Sequence, residues 1–231
     1  MICFAWYELP QYGAREINAF CKMNPNEDVV VISPRPDVPL DIKRIEECAG
    51  CRVIWLERHT LSLVKIPDCL GSIPKVFVQT GWYVPAFNAV GAACKARGGL
   101  VIAMNDTNYE GTPSAFFRAL RFRFWGYPRR VRRMFDGYMV PGRSGHRLHR
   151  LYGIPDDKII EGLNGADPNL FCDGGPLHKR PKRFLFVGRL SDLKNILMVV
   201  DVFLKFTARY PDWKLDICGS GLLKERIPRH P

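Results

Sequence analysis

Residues 183–221 read RFLFVGRLSDLKNILMVVDVFLKFTARYPDWKLDICGSG, and few folds accept such a stretch. Residues 184–187 form a short continuous apolar run closed by Gly188, as in a strand buried on both faces of a parallel sheet. Ile196, Val199, Val200, Phe203 and Phe206 then recur at helical spacing, with Ser191 or Asp192 as the N-cap and Pro211 as the stop. Residues 213–218 return as a second strand ending in Gly219-Ser220-Gly221. The order predicts a βαβ unit, which belongs to an α/β sheet.

The turn after the first of these strands carries chemistry. Arg189 falls at the strand's carboxyl end and Lys194 in the first turn of the helix, where free N–H groups and the helix dipole favour an anion. A planar arginine fork and a mobile lysine charge together suit a diphosphate, with no metal required. Gly188, Asn195, Gly219 and Gly221 share these loops. Two solvated surface charges are the plain alternative, and the residues alone leave it open.

The same alternation runs through the rest of the chain. Strand-like runs at residues 2–6, 29–33, 53–56, 76–79, 100–104, 137–140 and 159–161 are separated by segments long enough for helices, the clearest at 85–97 and 144–152. This predicts a parallel, doubly wound sheet. The polar, glycine- and proline-bearing segment 173–182 reads as a linker between a domain at 1–172 and the βαβ unit at 183–231. With 231 residues, 47% of them hydrophobic and 25% charged, there is material for one large or two small cores. No apolar run approaches the roughly 18 residues that would span a bilayer, and no basic leader precedes the first strand, so the expected compartment is the cytoplasm.

Eight cysteines are scattered through predicted strands and helices, which suits reduced thiols better than a disulfide framework. Cys48-Ala-Gly-Cys51 has redox or half-zinc-site spacing, yet no second pair completes four ligands. His146 and His149 share one helix face without a third ligand and flank Arg147 and Arg150.

Thr112-Pro113 opens a helix expected to run to about Trp125, where Gly126-Tyr127-Pro128 interrupts it. A helical wheel puts Phe116, Phe117, Leu120 and Phe124 on one side and Arg118, Arg121, Phe122 and Trp125 on the other. Arg129, Arg130, Arg132 and Arg133 extend the second side. Residues 118–133 thus hold seven arginines and no carboxylate, in a chain of formal net charge +11. Such a segment suits an anionic membrane surface, a lipid-pyrophosphate acceptor or nucleic acid. Nucleic acid is disfavoured because no recognised binding motif accompanies it. A solvated or domain-facing helix is the alternative.

Gly188-Arg189-Leu190, Lys194-Asn195 and Gly219-Ser220-Gly221 resemble the opening of the donor-binding domain of family 4 glycosyltransferases of the GT-B fold. Upstream, Asn164-Gly165-Ala166-Asp167-Pro168-Asn169-Leu170-Phe171 resembles the N-G-V-D-x-x-x-F signature that closes that family's first domain. The resemblance implies an α/β, GT-B-like chain: one nearly complete Rossmann-like domain on the acceptor side, then the first βαβ unit of a donor domain. It implies hexosyl transfer from a nucleotide-diphosphate sugar to a hydroxyl of a saccharide, lipid-linked or protein acceptor, with no cofactor or metal. Arg189 and Lys194 would hold the diphosphate.

By the same resemblance Gly13, in the loop after the first strand, faces the donor phosphates, although Tyr12 replaces the first of the family's tandem glycines. Asn105-Asp106 stands where the family carries His-Gly. Asp106 there is a catalytic candidate, accepting a proton or a sugar hydroxyl's hydrogen bond, or else forms an Asx turn or N-cap. The family's E-x7-E element has no counterpart after residue 183, and Glu8 and Glu16 match its spacing in the wrong domain. The expectation is therefore an incomplete, inactive fragment; its expected place is the cytoplasm, either free or peripheral on the inner face of a membrane. A nucleotide-sugar epimerase of the same fold and a non-catalytic binding module remain as alternatives.

Overall fold

The continuous apolar runs become strands, and the strands Ile2–Ala5 and Val29–Pro34 are buried along their whole length. In the computed structural model, residues 1–36, 41–57, 66–166, 170–171 and 174–227 are described, with the backbone alone at 66, 67 and 177. The chain divides into two units, Met1–Phe171 and Cys172–Pro231.

The first unit runs β1 (Ile2–Ala5), α1 (Gln11–Met23), β2 (Val29–Pro34), α2 (Ile42–Ala49), β3 (Arg52–Leu56), α3 (Ile66–Leu70), β4 (Val76–Thr80), α4 (Pro85–Ala96), β5 (Leu100–Met104), α5 (Pro113–Arg121), β6 (Gly137–Val140), α6 (Arg143–Leu151) and β7 (Ile159–Glu161). The seven strands form one sheet in the order β3-β2-β1-β4-β5-β6-β7, parallel throughout. β1 lies at its centre, Ile2 facing Val29 on one side and Val76 on the other. Successive residues of β1 serve opposite faces. Ile2 and Phe4 pack with Ile17 of α1 and Ile45 of α2, while Cys3 and Ala5 pack with Phe87 and Val90 of α4. This is an α/β fold with a Rossmann-like parallel sheet flanked by helices.

In the second unit β8 (Arg183–Val187) and β9 (Lys214–Cys218) pair in parallel and α7 (Ile196–Thr207) joins them. Leu190, Ile196, Val200 and Leu223 make its core. Phe184 stacks on Trp213 at 4.8 Å and meets Phe206 edge-on at 5.6 Å, so the helical stripe covers one face of the strand pair. The burial on both faces expected of residues 184–187 is not found, because Leu185 and Val187 on the opposite face are 68% and 70% exposed.

Four local expectations change. α1 starts at Gln11, immediately after Pro10, instead of near residue 14, because proline can precede a helix without giving up a bond. Neither Ser191 nor Asp192 caps α7. Residues Asp192–Lys194 form a separate 3-10 turn, and Asn195 in the left-handed conformation (φ 52°) leads into Ile196. Lys194 therefore lies before the helix, not in its first turn.

Gly126 and Pro128 do not interrupt the arginine-rich helix either. After α5 it continues as a π-helix, Phe122–Val131, whose wider turn accommodates the proline, and Arg132 N–H donates to Tyr127 O at 2.8 Å. The wider turn also changes the phase of the side chains. Ala115, Ala119, Tyr127 and Val131 are buried, whereas Phe117 and Phe124 are 67% and 63% exposed. Phe122, expected on the solvent side, instead stacks on Trp82.

Candidate functional site

The strand order reverses between β1 and β4, and in open α/β sheets the crevice outside the carboxyl ends of the strands at such a point is where ligands bind. Three loops meet there, following β1, β4 and β5. The first is pinned on both sides of Glu8. Tyr7 N–H donates to Thr80 Oγ1 at 2.9 Å and Leu9 N–H to the buried Ser33 Oγ at 3.0 Å. Between these anchors Glu8 adopts φ 60°, a conformation that non-glycine residues hold only where the surroundings impose it.

The second loop turns at Gly81 (φ 58°), over which the Tyr83 ring lies, so that an added Cβ would come within 2.4 Å of the ring. Tyr83 meets Tyr7 edge-on at 6.0 Å. In the third loop the Asx turn belongs to Asn105, whose Oδ1 accepts from Thr107 N–H at 3.1 Å and Thr107 Oγ1 at 2.7 Å. Asp106 is thereby spared from capping, and its exposed carboxylate makes no side-chain hydrogen bond among the described residues. Its charge reaches Tyr12 and Tyr83. Partial burial first, then Asp106, raises the Tyr12 phenol pKa; burial, opposed by a hydrogen bond with Thr80, and then Asp106 raise that of Tyr83.

Tyr7 and Tyr83 thus lie in ring contact at this edge of the sheet, with Glu8 and Asp106 near enough for their charges to act on Tyr83 and with Asp106 acting on Tyr12 as well. The sequence singled out Asp106 and missed Tyr83. The signal for Tyr83 is its place just beyond the end of β4, which matters only once β4 is known to lie beside β1.

Tyr12 also borders a cleft of about 550 Å³ between α1 and the loop after β7, lined by Arg15, Glu16, Leu163 and Gly165 among others. Gly165 N–H donates to Glu16, but Glu16 Oε1 is buried without a partner, and burial raises its pKa. Glu8 and Glu16 accordingly sit in different surroundings despite their E-x7-E spacing. Gly13 is buried in the first turn of α1 against Trp6, whose ring would lie 2.9 Å from an added Cβ. Close approach at Gly13 is made by tryptophan. Asp167, Pro168 and Asn169 lie outside the described residues.

In the second unit Arg189 is exposed after β8, and neither it nor Lys194 enters an ion pair among the described residues. The neighbouring glycines have packing reasons. A Cβ at Gly219 would fall 1.9 Å from Gly188 O and one at Gly221 2.4 Å from Leu190 O, because the two loops are laced together by Gly188 N–H to Cys218 O (3.0 Å) and Leu190 N–H to Ser220 O (2.8 Å).

Arg118, Arg121, Arg129, Arg130, Arg132 and Arg133 are all exposed, and among the described residues only Arg118 of these has a carboxylate partner, Glu110 at 2.8 Å. The C-x-x-C pair separates, Cys48 near Gln11 at 3.6 Å and Cys51 beside Cys21, with the Cys51 thiol pushed up to about 12 chiefly by burial. His146 and His149 do not share an environment. His146 bridges Glu161 and Asp156, whereas His149 is buried against Tyr138. Among the described residues no group of three or more His, Cys, Asp and Glu is placed to hold a metal, and no helix is long and apolar enough to cross a membrane.

No family model matches the chain, and no curated protein does. Among solved structures it is similar over 98% of its length to the lipopolysaccharide outer core galactosyltransferase WaaB in its apo form, with a TM-score of 0.57 at 15% identity. It is likewise similar over 98% to HepE of Anabaena in complex with UDP, with a TM-score of 0.59 at 12% identity. The chain spans 63% of the length of each. The likeness is one of fold, an α/β, GT-B-like arrangement of Rossmann-like parallel strands and helices.

Proposed function

We propose that this protein takes part in hexosyl transfer from a nucleotide-diphosphate sugar to an acceptor hydroxyl. The observation that carries the reading is the Asp106 carboxylate held beside Tyr12 and Tyr83 at the reversal point of the sheet. Aromatic faces suit the apolar faces of a sugar ring, and carboxylates accept hydrogen bonds from its hydroxyls. Asp106 is free to take the proton of the attacking hydroxyl as its oxygen bonds to the sugar carbon and the bond from that carbon to the diphosphate breaks.

In the second unit, taken by itself, the exposed Arg189 and Lys194 are the cations suited to bind the diphosphate of a nucleotide sugar. The fold supports this reading through its likeness to a galactosyltransferase and to a protein bound to UDP. The acceptor is a saccharide, lipid-linked or protein hydroxyl, and the working place is the cytoplasmic face of a membrane.

Saturation-transfer NMR of the chain against nucleotide sugars and short saccharides tests the proposal. Saccharide signals that vanish in Asp106→Asn, with nucleotide-sugar signals that vanish in Arg189→Ala, are expected. Binding insensitive to both substitutions, or release of an epimerised sugar nucleotide with no acceptor present, would overturn it.

A further inference from the structure

Large aromatic side chains stand in water along α5 and the π-helix that continues it. Phe117, Phe124 and Trp125 are 67%, 63% and 58% exposed, although each is large enough to pay for burial many times over in an ordinary core. The arginines around them, from Arg121 to Arg133, have no carboxylate among them in the sequence, so the face is apolar at its crest and cationic along its flanks. The other side of the same helix is fixed to the core through Ala119, Tyr127 and Val131, which keeps the exposed crest in place.

We propose that this helical face docks on an anionic lipid bilayer, with Phe117, Phe124 and Trp125 entering the headgroup boundary and the arginines meeting lipid phosphates and carboxylates. Charge complementarity selects the occupant. A cationic flank draws an anionic leaflet, and aromatic residues on an outward-facing helix suit insertion into an interface. Single-stranded nucleic acid is also read by arginine and aromatic side chains, but along a groove that tracks its backbone; here the aromatic side chains cap a helix. The inference does not depend on glycosyl transfer, and its test contains no sugar nucleotide.

The test is co-sedimentation of the full chain with vesicles of phosphatidylcholine alone and of phosphatidylcholine with phosphatidylserine, across a salt series, with polyuridylate as a second arm. Binding to the anionic vesicles, weakening as salt rises, is expected. Each arginine near an anionic surface is worth about 1 kcal/mol, so Arg129→Gln with Arg130→Gln should lower the partition coefficient roughly 30-fold. Phe117→Ser with Phe124→Ser should lower it at least tenfold at unchanged charge. Because all four positions are exposed, both variants should keep the wild-type circular dichroism and melting. Equal binding to neutral vesicles, partition unchanged in either folded variant, or binding to polyuridylate alone would each overturn the proposal.

Discussion

Phe122 stacks on Trp82, the ring centroids 5.4 Å apart and the planes 22° apart, and that contact sets which side of the arginine-rich helix meets the core. Tyr152 closes on the same ring from 4.4 Å, and Gly126 lies beneath it, where an added Cβ would sit 2.5 Å from the Phe122 ring. The glycine is therefore a seat for an aromatic side chain and not a helix stop. Gly126→Ala should unseat Phe122, and Phe122→Ala should cost about 2–3 kcal/mol, below the roughly 3–5 of a fully buried phenylalanine. Urea unfolding measures both. A Gly126→Ala variant as stable as the wild type would show that the ring has room to move.

The same helix marks where the sequence stops being informative. Short, largely apolar runs locate the strands of the first sheet: β1 and β2 are buried throughout and need little beyond their own composition, and the partly exposed edge strands β3 and β7 keep enough of the pattern to be found. Residues 100–104, 137–140 and 159–161 match the strands residue for residue. The stripe from Ile196 to Phe206 likewise places α7. A wheel drawn at the α-helical period instead groups Phe116, Phe117, Leu120 and Phe124 as one side. Phe116, Phe117 and Phe124 are all exposed, and beyond Arg121 the smaller angular step of the π-helix turns Phe122 away from the arginines and onto Trp82. The grouping of Tyr83, Asp106 and Glu8 was hidden for another reason. Tyr83 and Asp106 come together because β4 and β5 are adjacent, and Glu8 joins them because β1 is the next strand, none of which is local in sequence.

Asp106 supplies a charge that Tyr12 and Tyr83 feel, and that juxtaposition is testable without a substrate. Asp106→Asn removes the negative charge that makes each phenolate harder to form, so both phenols should titrate at lower pH than in the wild type. Ring-carbon NMR shifts against pH resolve the two residues. The same variant should weaken saccharide binding by about 1.5 kcal/mol, roughly tenfold, the worth of one hydrogen bond to a charged group. Unshifted titrations would remove Asp106 from the neighbourhood of the two rings.

His146 and His149 stand three residues apart in α6 and should give opposite responses to pH. The Asp156 hydrogen bond first, then Glu161, raises the His146 pKa. Its contribution to stability is complete below the ordinary value near 6.5 and lost as pH rises through the higher folded value. Burial lowers the His149 pKa. That residue stays neutral in the fold, and stability falls away as pH drops from about 6.5 towards the lower folded value. His146→Gln should therefore cost more stability at pH 5.5 than at pH 8.5. His149→Phe should show the reverse dependence. Urea midpoints across that range decide the matter, and a pH-independent cost in both variants would contradict the assigned surroundings.

Arg189 and Lys194 differ in what they offer a diphosphate, and substitution separates them. Arg189 follows β8 on a loop tied to the one after β9 through Leu190 N–H and Ser220 O, so its backbone is fixed while its side chain is exposed. Lys194 ends the 3-10 turn, its own N–H donating to Ser191 O at 3.0 Å, and Asn195 beyond it holds the left-handed conformation that starts α7. The first three N–H groups of α7 have no acceptor within the helix. Arg189→Ala should weaken nucleoside-diphosphate binding by roughly 1.5–3 kcal/mol, the scale of a charge-assisted contact. Arg189→Lys should recover only part of it, because one ammonium cannot make two parallel hydrogen bonds to two phosphate oxygens. Lys194→Ala should cost less than Arg189→Ala and lose most of its effect at high salt, as expected for an exposed point charge. Titration calorimetry with UDP at low and high salt measures all three. Full recovery in Arg189→Lys would mean that charge alone is recognised, and equal affinity in all variants would place the diphosphate elsewhere on the chain.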